Sequence, residues 1–588
     1  MATQLFTNNA ASVLASSLTA IATSLSVTAG HGARFPTITG SDYFLATLCQ
    51  MSLTGEVNFE VVKVTARSTD TFTIVRAQEG TTALAYNAGD KVELRLTKVT
   101  MEGLRDFLQV GTGAVTRTVR SKGQDFVSVT DFGAVGNGVA DDTAAIQAAV
   151  DALISNGGGT LYVPKGTYKT TSEILITADK IRIVGAGRES TVINPATNSN
   201  CFNFQQIGGK GWGVEDLSIK YLADGTAGTA IYALDASSGE ISNLYVERCF
   251  NGIQLGNSQA TRVQHIEMWY FLKYAIYIND NCNDVYLADT FLNGAAYGTS
   301  TPNTNSVGLY LYRKAHATMA SRLEIIQCSR PLQAEGSSAS DLLKPAFCMF
   351  TDCFFDSSAF DVRLNYTRTL RFNACWFSQR STGCTIQNAI DTTFVGCSFV
   401  NNNQHGCLLQ AGAEHTSFVG CTFDSNSQES SGAYSGLVVA ANVSDFKVIG
   451  GVFANLGTFP QFQANGISIL SGASNRFTIK DATFLSNTVS PVSDLSSGTE
   501  RYIQGNIGYR TSNSGQATIA SGTTTIVVTH GLAVTPSISD ILLTRGGGNA
   551  GSTDLYANTI TSTQFTINTA AAPSSNMPVT WQVRSKGA

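Results

Sequence analysis

The chain has 588 residues, of which 14% are charged and 43% hydrophobic, with a formal net charge of −5. An average globular chain has about 25% charged residues, so the polar surface here must come from Ser, Thr, Asn and the 55 glycines. The weak negative charge excludes the basic footprint of a nucleic-acid binder, and no apolar run is long enough for a transmembrane helix. The composition is typical of an all-β protein with many turns, and the length predicts about four domains.

Residues 1–108 alternate short apolar runs with turns at period two, which predicts a small N-terminal β domain. A short helix is predicted over residues 101–108, followed by a polar linker over 109–125. No Lys or Arg precedes Arg34, so the Ala/Ser-rich stretch 10–22 lacks the charged region of a signal peptide. We therefore expect a protein made in the cytosol, without membrane insertion, whose twelve cysteines are buried reduced thiols rather than disulfides or zinc ligands.

Residues 127–168 predict a helix followed by strands. Asp141 and Asp142 stand where a helix N-terminus favours an oxygen acceptor and a negative charge. An apolar stripe at helical period follows and consists of Ala145, Ile146, Ala149, Val150 and Leu153. Glycines 157–159 then end the helix. We expect Asp131, Asp141 and Asp142 to serve turns and caps rather than catalysis.

The region after this helix carries an internal repeat. The aligned units are 246–250, 325–328, 350–354, 372–377, 394–399, 418–423, 448–453 and 479–484, with a similar unit at 287–291. Cys328, Cys353, Cys375, Cys397 and Cys421 follow one another at spacings of 25, 22, 22 and 24 residues. This period predicts the coils of a parallel β-helix, with Cys and Phe rows stacked from coil to coil. A leucine-rich repeat has a similar period, but its leucine signature is absent.

Asp352, Gly396, Gly420 and Gly450 precede the aligned position, and these residue types tolerate the left-handed bend that joins two strands. The repeat fades after about residue 509, and short strands follow over 523–529, 541–544, 564–568 and 579–583. The fold class predicted is therefore all-β: a single-stranded parallel β-helix over 126–509, with a β-sandwich-like domain over 510–588.

Three segments carry a resemblance to known families. VSVTDFGAVGNG at 127–138, DDTAAIQ at 141–147 and GTLYVPKGTY at 159–168 resemble the opening of right-handed β-helix proteins of the pectate-lyase superfamily, in which the helix caps the solenoid. AGHGARFP at 29–36 and VRAQEGTT at 75–82 resemble the virion-attachment domains of bacteriophage tail fibres and tailspikes. THGLAVTP at 529–536 and TWQ at 580–582 are similar to tailspike C-terminal domains, which suggests a trimerisation or carbohydrate-binding role for 510–588.

The resemblance implies a homotrimeric tailspike in the virion tail, made in the host cytoplasm. Its residues 1–108 would bind the phage tail, baseplate or an adaptor protein. Its β-helix would bind a bacterial capsule or lipopolysaccharide O-antigen and cleave it as an endo-glycoside hydrolase or a polysaccharide lyase. Two alternatives are a receptor-binding fibre that holds the glycan without cutting it, and a secreted pectin or alginate enzyme. The absence of a signal peptide and the phage-like N-terminal region argue against the secreted enzyme.

Hydrolysis of a glycosidic bond requires two carboxylates roughly 5–9.5 Å apart, and neighbouring coils place equivalent residues about 4.8 Å apart. Acidic residues concentrate in the coils from 240 to 361, beside the two longest departures from the repeat, 293–306 and 333–345. We expect the catalytic pair to be two of five residues from this stretch: Glu267, Asp289, Glu324, Asp352 and Asp356.

Aromatic residues cluster in the same stretch, and flat rings suit the faces of sugars. Trp269, Tyr270 and Tyr274 are the candidate sugar-binding aromatics. His265, Lys273 and Arg322 complete the predicted binding set, because elimination at a uronate requires a base and a group that neutralises the carboxylate. No cofactor is indicated. Pectate lyases in this superfamily use calcium, but the sequence has no dense Asp cluster at ligand spacing, so no metal site is predicted.

Overall fold

A computed structural model describes residues 3–103, 106–107, 111–205, 210–337, 343–457, 462–473, 476–498, 500–546 and 554–585. The chain divides into two compact units, Met1–Asp125 and Phe126–Ala588. None of the helices in these described ranges is long and apolar enough to cross a membrane.

The first unit is built on a six-stranded antiparallel sheet, which agrees with the small β domain expected from its alternating pattern. In spatial order the strands are Ala11–Val13, Lys91–Glu93, Phe44–Ser52, Gly55–Ser68, Thr71–Gln78 and Ser24–Ser26. Helices Lys98–Gly103 and Val119–Gly123 and the short strand pair Asp106–Phe107 and Arg117–Thr118 follow, with a 3-10 helix at Gly32–Arg34. The observed helix begins three residues before the predicted 101–108, of which 104, 105 and 108 lie outside the described residues.

A buried ion pair anchors the VRAQEGTT segment of this unit to the neighbouring strand Gly55–Ser68. Glu60 is completely buried and accepts hydrogen bonds from Arg76 at 2.8 Å and 2.6 Å. The backbone amides of Ala77 and Leu84 donate to the same carboxylate. A buried charge persists only when it is paired and its remaining lone pairs are satisfied, and Glu60 meets both conditions.

The second unit is dominated by a parallel β-helix with two long sheets. The longer sheet contains Val127–Ser128, Asn137–Asp141, Gly159–Val163, Gly166–Thr170, Ile181–Gly185, Thr191–Pro195, Gly213–Lys220, Glu240–Glu247, Arg262–Trp269, Tyr286–Asn293, Met319–Ile326, Met349–Thr351, Phe354–Asp356, Arg368–Asn373, Trp376–Ser378, Ile390–Val395, Ser398–Val400, Ser417–Val419, Thr422–Asp424, Phe446–Ile449, Val452–Ala454, Arg476–Lys480, Thr483–Leu485 and Glu500–Gln504. We call it the bent sheet, because each coil from Gly213 onward turns sharply within it.

The second sheet has one strand per coil, and we call it the flat sheet. Its strands are Ile174–Ile176, Phe202–Gln205, Thr229–Leu234, Asn251–Gly256, Tyr274–Ile278, Val307–Tyr312, Arg330–Glu335, Val362–Asn365, Cys384–Gln387, Cys407–Leu409, Leu437–Val439, Asn465–Ile469 and Ser490–Asp494. Parallel pairing in both sheets confirms the predicted β-helix.

The turn within the bent sheet is made by one left-handed residue per coil, which we call the bend row. Asp352, Gly396, Gly420 and Gly450 have φ between 53° and 67°, as their residue types predict. The row also contains non-glycine members at Asp216, Asn243, His265, Asp289, Arg322, Ala374 and Asp481. Several residues of the bend row are polar and point outward, so the fold concentrates functional side chains along one edge.

The core confirms the stacked aromatic rows. Phe377, Phe399, Phe423 and Phe453 stack with ring centroids 4.6 Å apart and planes within 8° of parallel. All twelve cysteines are buried and unpaired, as expected. Cys353, Cys375, Cys397 and Cys421 follow the bend row on successive coils.

The alignment of the first repeat units was wrong. Ile325 pairs with Phe355 rather than with Phe350, so unit 325–328 is five residues out of phase with unit 350–354. Unit 246–250 has the same offset, and Cys328 therefore lies in a different row from Cys353. A buried thiol is a small apolar group that fits any inward position, so cysteine spacing does not define the phase of the coils.

The helix Thr143–Ser155 covers the first coils of the β-helix, as the resemblance implied. It buries Ile146, Ala149, Val150 and Leu153, and Gly157 follows with φ 82°. The carboxylate of Asp141 accepts from the Thr143 amide and that of Asp142 from the amides of residues 135 and 136. Asp131 forms a capping box with Ser128 in the 3-10 helix Val129–Phe132. The predicted turn and cap roles are confirmed.

The C-terminal part of the second unit contains two three-stranded antiparallel sheets. One consists of Ser512–Ile519, Met577–Arg584 and Ile541–Arg545, the other of Thr525–Thr529, Gln564–Thr569 and Leu555–Asn558, with a 3-10 helix at Ile538–Asp540. Ile519, Phe565 and Trp581 belong to one shared core. This arrangement agrees with the predicted sandwich-like class.

Candidate functional site

A cavity of about 730 Å³ opens on the outer face of the bent sheet. Its lining residues are Arg188, Asn243, His265, Ile266, Glu267, Asp289, Thr290, Phe291, Arg322 and Glu324. The structure therefore brings together five of the predicted site residues, which come from the three successive strands Arg262–Trp269, Tyr286–Asn293 and Met319–Ile326. Consecutive parallel strands keep equivalent residues in register, which explains how positions 265 and 324 share one site.

Two of the predicted carboxylates stand in one outward row. Glu267 pairs with Phe291, and Phe291 pairs with Glu324. Two inter-strand steps of about 4.8 Å place the Cα atoms of the two glutamates about 9–10 Å apart. Both side chains lie on the solvent side of the sheet, with the Phe291 ring position between them. A substrate crossing Phe291 would therefore have one carboxylate on each side.

Glu267 is held by two donors. Arg188 Nη2 lies 2.9 Å from Glu267 Oε2, and Trp269 Nε1 donates to Oε1 at 2.9 Å. Arg188 comes from the turn after strand Ile181–Gly185, well before the glutamate in the solenoid. Glu324 differs sharply, because its exposed side chain has no hydrogen bond or ion pair among the described residues. The two carboxylates have the same chemistry but different environments.

Asp289 lies in the bend row between His265 and Arg322. Arg322 donates to it from Nε at 2.5 Å and from Nη2 at 2.8 Å, and His265 Nε2 lies 3.9 Å from Oδ2. The Arg322 hydrogen bond holds the pKa of the Asp289 carboxyl below its ordinary value. Asp289 is therefore ionised and fully engaged, which suits a group that positions Arg322 better than one that exchanges a proton.

A cluster of aromatic rings lies beside the cavity, and Phe291 is its member that lines the cavity. The Trp269 ring lies 5.2 Å from Phe291 and 5.6 Å from Tyr270 between centroids. Tyr297, from loop 294–306, meets the Tyr270 ring edge-on at 5.1 Å, and Arg248 lies 4.0 Å above Tyr297. The long loop therefore folds back over the predicted sugar-binding aromatics.

Six predicted residues are not part of the cavity lining: Trp269 and Tyr270, which lie beside it, and Lys273, Tyr274, Asp352 and Asp356. Tyr274 begins a strand of the flat sheet and stacks with Tyr310 at 5.1 Å, and Lys273 lies 4.9 Å from the Tyr274 ring. Asp352 occupies the next bend-row position after Arg322 and is exposed. Asp356 accepts a hydrogen bond from Ser357 at 3.0 Å. None of these four residues is part of the cavity lining. The predicted loop 333–345 includes residues 338–342, which lie outside the described residues.

Sequence reasoning did not select Arg188, Asn243 or Phe291. The repeat alignment contained the signal for Phe291, because unit 287–291 is in phase with unit 350–354. Arg188 has no such signal, since it approaches Glu267 across coils from a turn outside the repeat.

A calcium ion held by carboxylates does not fit the cavity, because Asp289 and Glu267 are already occupied by arginines, and no cluster of three metal-ligating side chains exists among the described residues.

Comparison with known families matches the same region. Residues 126–325 match the family described as rhamnogalacturonase A/epimerase, pectate lyase-like. Residues 299–453 match the family described as right-handed β-helix region. The pectate-lyase-like match thus ends at residue 325, and the right-handed β-helix match continues to residue 453. The resemblance stated from the sequence is thereby confirmed for this β-helix. Two of the cavity strands, Arg262–Trp269 and Tyr286–Asn293, lie within the first match, and Met319–Ile326 lies within the second.

Curated relatives of this β-helix protein match over short stretches. Mannuronan C5-epimerase AlgE4 of Azotobacter vinelandii is 37% identical over 117 residues, which are 17% of this chain and 20% of that protein. Mannuronan C5-epimerase AlgE2 of the same organism is 50% identical over 72 residues, which are 11% of this chain and 7% of that protein. The chain thus spans at most a fifth of the length of these two relatives.

Two solved phage proteins share the fold of the β-helix chain. Tailspike protein 3 of bacteriophage CBA120 is 15% identical, with a TM-score of 0.50 covering 91% of this chain and 86% of that one. A mutant tailspike protein of E. coli bacteriophage HK620, in complex with a hexasaccharide, is 11% identical. Its TM-score is 0.51, covering 82% of this chain and 98% of that one. At these identities the likeness concerns the fold alone.

Proposed function

We propose that this chain is a bacteriophage tailspike that binds a bacterial surface polysaccharide and cleaves its glycosidic bonds at the cavity. One observation carries the proposal: Glu267 and Glu324 occupy the same outward row, two strands apart, on both sides of Phe291. Two carboxylates that face each other across an open groove are the minimum equipment for glycoside hydrolysis. No other pair among the five candidates combines a shared cavity with this arrangement.

The environments of the two glutamates suggest separate roles. Arg188 and Trp269 fix Glu267 in place, which suits a base that activates water or a nucleophile. Glu324 is exposed and unpaired, so it is free to approach a leaving-group oxygen and donate a proton. Their Cα atoms are about 9–10 Å apart, which leaves room for a water between the two carboxyl groups, as an inverting hydrolase requires.

Elimination is a second chemical route at the same cavity. A lyase removes a proton beside the carboxylate of a uronate, so it requires a base and a cation that neutralises the acid. His265 and Arg322 flank Asp289 in the bend row, both line the cavity, and they could supply these two functions. The products distinguish the routes, because hydrolysis yields only new reducing ends whereas elimination also yields an unsaturated uronate.

The tailspike assignment includes partners and a location. Residues 1–108 would attach a homotrimer to the phage tail, baseplate or an adaptor protein, and the β-helix would face a capsule or an O-antigen. The fold shared with the CBA120 and HK620 tailspikes supports this assignment. The order of domains along the chain supports it further, because an antiparallel domain precedes the β-helix and another follows it.

A glycan-binding fibre without catalysis is the competing function. The engaged state of Asp289 favours it, since the Arg322 ion pair already satisfies this cavity carboxylate. Phe291 and the aromatic rings beside the cavity would serve binding equally well.

The decisive experiment incubates the purified protein with capsule, O-antigen and alginate preparations. Reducing ends and the absorbance of unsaturated uronate are followed in the same samples. We expect new reducing ends with at least one preparation. Binding to a glycan without either product would overturn cleavage and leave the fibre function. Absence of both binding and products across the panel would contradict the proposed function as a whole.

A further inference from the structure

The glutamate row continues beyond the cavity with two aromatic residues. Glu324 pairs with Phe354, and Phe354 pairs with Trp376. The Phe354 side chain is 49% exposed, although large apolar side chains on a sheet surface are usually covered. The two rings lie 6.2 Å apart with planes inclined by 24°. They therefore form a continuous aromatic surface, which we call the Phe354–Trp376 platform.

The protein surface beside the platform has few large side chains. The bend row changes character after Asp352, where it continues with Ala374, Gly396 and Gly420. A Cβ atom added at either glycine would meet no atom within 4 Å, so nothing fills the space beside these positions. The row of the platform itself continues with the small polar residue Ser398. Beside the two rings the bend row has Asp352 and Ala374, and on the next coils it has glycines, so the surface beyond the rings is open.

Trp376 also has an unused polar group. Its Nε1 is shielded from solvent and donates to no acceptor among the described residues. An unpaired buried N–H is costly, and a hydroxyl bound at the ring edge would give it a partner after a small movement of the ring. Trp269 in the cavity differs, because its Nε1 is paired with Glu267.

We infer that the Phe354–Trp376 platform binds pyranose rings of a polysaccharide that runs along the β-helix axis from the cavity. The inference rests on the proposed function, because it makes this surface an extension of the glycan site. Phe291, Phe354 and Trp376 lie in one row, and the distance from Phe291 to Trp376 is three steps of about 4.8 Å. Sugar rings present flat C–H faces to aromatic rings and hydroxyls to the polar groups around them.

A second protein copy fits this surface poorly. A stable interface buries about 800 Å² on each partner, and two rings bordered by polar and small residues offer much less apolar area. Glu324 and Asp352 flank the platform and are exposed, so a subunit contact would desolvate two carboxylates. A hydrated polysaccharide places no such demand on them.

The platform predicts how cleavage depends on substrate length. A glycan long enough to reach Trp376 gains contacts that a short fragment lacks, and these contacts lie outside the cavity. The enzyme should therefore prefer long chains and cut them internally. Loss of the platform should weaken binding of the polymer while leaving the turnover of short fragments unchanged.

Binding is tested in a Glu324→Gln background, which retains the polymer intact. The ligand is the first polysaccharide, from a panel of capsules, O-antigens and alginate, that the unsubstituted protein binds. Removing one aromatic contact, by Phe354→Ala or Trp376→Ala, should weaken binding about ten-fold. Phe347→Ala is the matched control, because Phe347 is 57% exposed on the same coil but outside the row. Equal affinity of all variants, or dissociation of the oligomer in the Trp376→Ala variant, would overturn the inference.

Fluorescence provides a measurement that leaves the platform intact. Trp212 and Trp581 are 1% and 6% exposed, so in a Trp269→Phe variant the surface tryptophan is Trp376. Its emission should shift when the polysaccharide binds, and an unchanged spectrum at saturation would contradict the inference. A shift in this variant, without cleavage by the unsubstituted protein, would retain the platform and reject the catalytic proposal. Cleavage by the unsubstituted protein, without a shift in this variant, would do the reverse. Absence of binding to every polysaccharide would reject both.

Discussion

Arg322 donates two hydrogen bonds to Asp289, and the same arrangement recurs on the other corner of the solenoid between Arg476 and Asp445, at 2.8 Å each. A histidine completes both sets, since His265 lies 3.9 Å from Asp289 and His415 lies 3.6 Å from Asp445. Only the first set borders the cavity. The second set therefore offers a natural control for the chemistry of the first.

We expect Asp289→Asn to lower kcat/KM about ten-fold, because Arg322 loses the charge-assisted pair that orients it toward the cavity. Asp445→Asn removes the same pair at a distant corner and should leave the activity unchanged. Both variants should show small and similar shifts in Tm, because both arginines are exposed. Reducing-end kinetics and thermal unfolding measure the two effects. Equal loss of activity in both variants would show that the arginine pairs act only through stability.

The row formed by Glu267, Phe291 and Glu324 leads to a prediction of larger effects on activity. Glu267→Gln and Glu324→Gln should each reduce kcat about 10²- to 10⁴-fold, because each removes a group that transfers a proton or activates water. Polysaccharide binding should persist, since an amide keeps the size and polarity of the side chain. Glu500→Gln, on an exposed glutamate of the same sheet, serves as the control. Retention of full activity in either cavity variant would remove that residue from the catalytic pair.

His405 predicts an acid sensitivity of the β-helix. Its Nδ1 accepts a hydrogen bond from the Ser435 amide at 3.0 Å, and burial lowers the pKa of the imidazole from 6.5 to about 4. The unfolded chain therefore binds the proton more readily than the folded one. Stability should be complete above pH 6.5 and decline by up to about 3 kcal/mol as the pH falls to about 4.

Denaturant unfolding across this pH range tests the effect. A His405→Gln variant should lose most of the pH dependence between 6.5 and 4, whereas His415→Gln, on an exposed ring, should retain it. An unchanged profile for His405→Gln would mean that other groups govern the acid response.

The aromatic stack predicts where replacing a core side chain by alanine destabilises the β-helix most. Phe399 is fully buried and lies 4.6 Å from both Phe377 and Phe423. Phe399→Ala should destabilise the β-helix by about 3–5 kcal/mol, because a rigid stack cannot close the cavity left behind. Phe360→Ala, at a half-exposed ring, should cost far less. Similar denaturation midpoints for the two variants would contradict a tightly packed core.

Much of the architecture was predictable because it depends on local rules. The helix stripe ending at Leu153 follows the helical period, and Gly396 and Gly420 indicate bends because only such residues adopt positive φ cheaply. Cysteine misled the alignment at Cys328, since a thiol fits several inward positions. Glu267 and Glu324 were selected from the local density of acids, but their shared row required the true register.

The remaining site residues depend on long-range geometry that the sequence does not encode locally. Arg188 reaches Glu267 from a turn 79 positions earlier in the chain, and no sequence pattern near Arg188 predicts the contact. Tyr274 was predicted to lie with Trp269 because the two are close in sequence, yet its ring contacts Tyr277 and Tyr310. The sharp corner between strands Arg262–Trp269 and Tyr274–Ile278 sends Tyr274 to the flat sheet instead.

Loop 294–306 interrupts the solenoid without disturbing it. Asn293 pairs with Trp269 before the loop and with Ile326 after it, and Val307 returns in register with Tyr274. The length of the excursion is therefore decoupled from the alignment of the coils. Such a loop can be exchanged for one of different size and chemistry while the strand pairing between the coils stays unchanged. The rim of the cavity can then diversify as an interchangeable module on a constant scaffold.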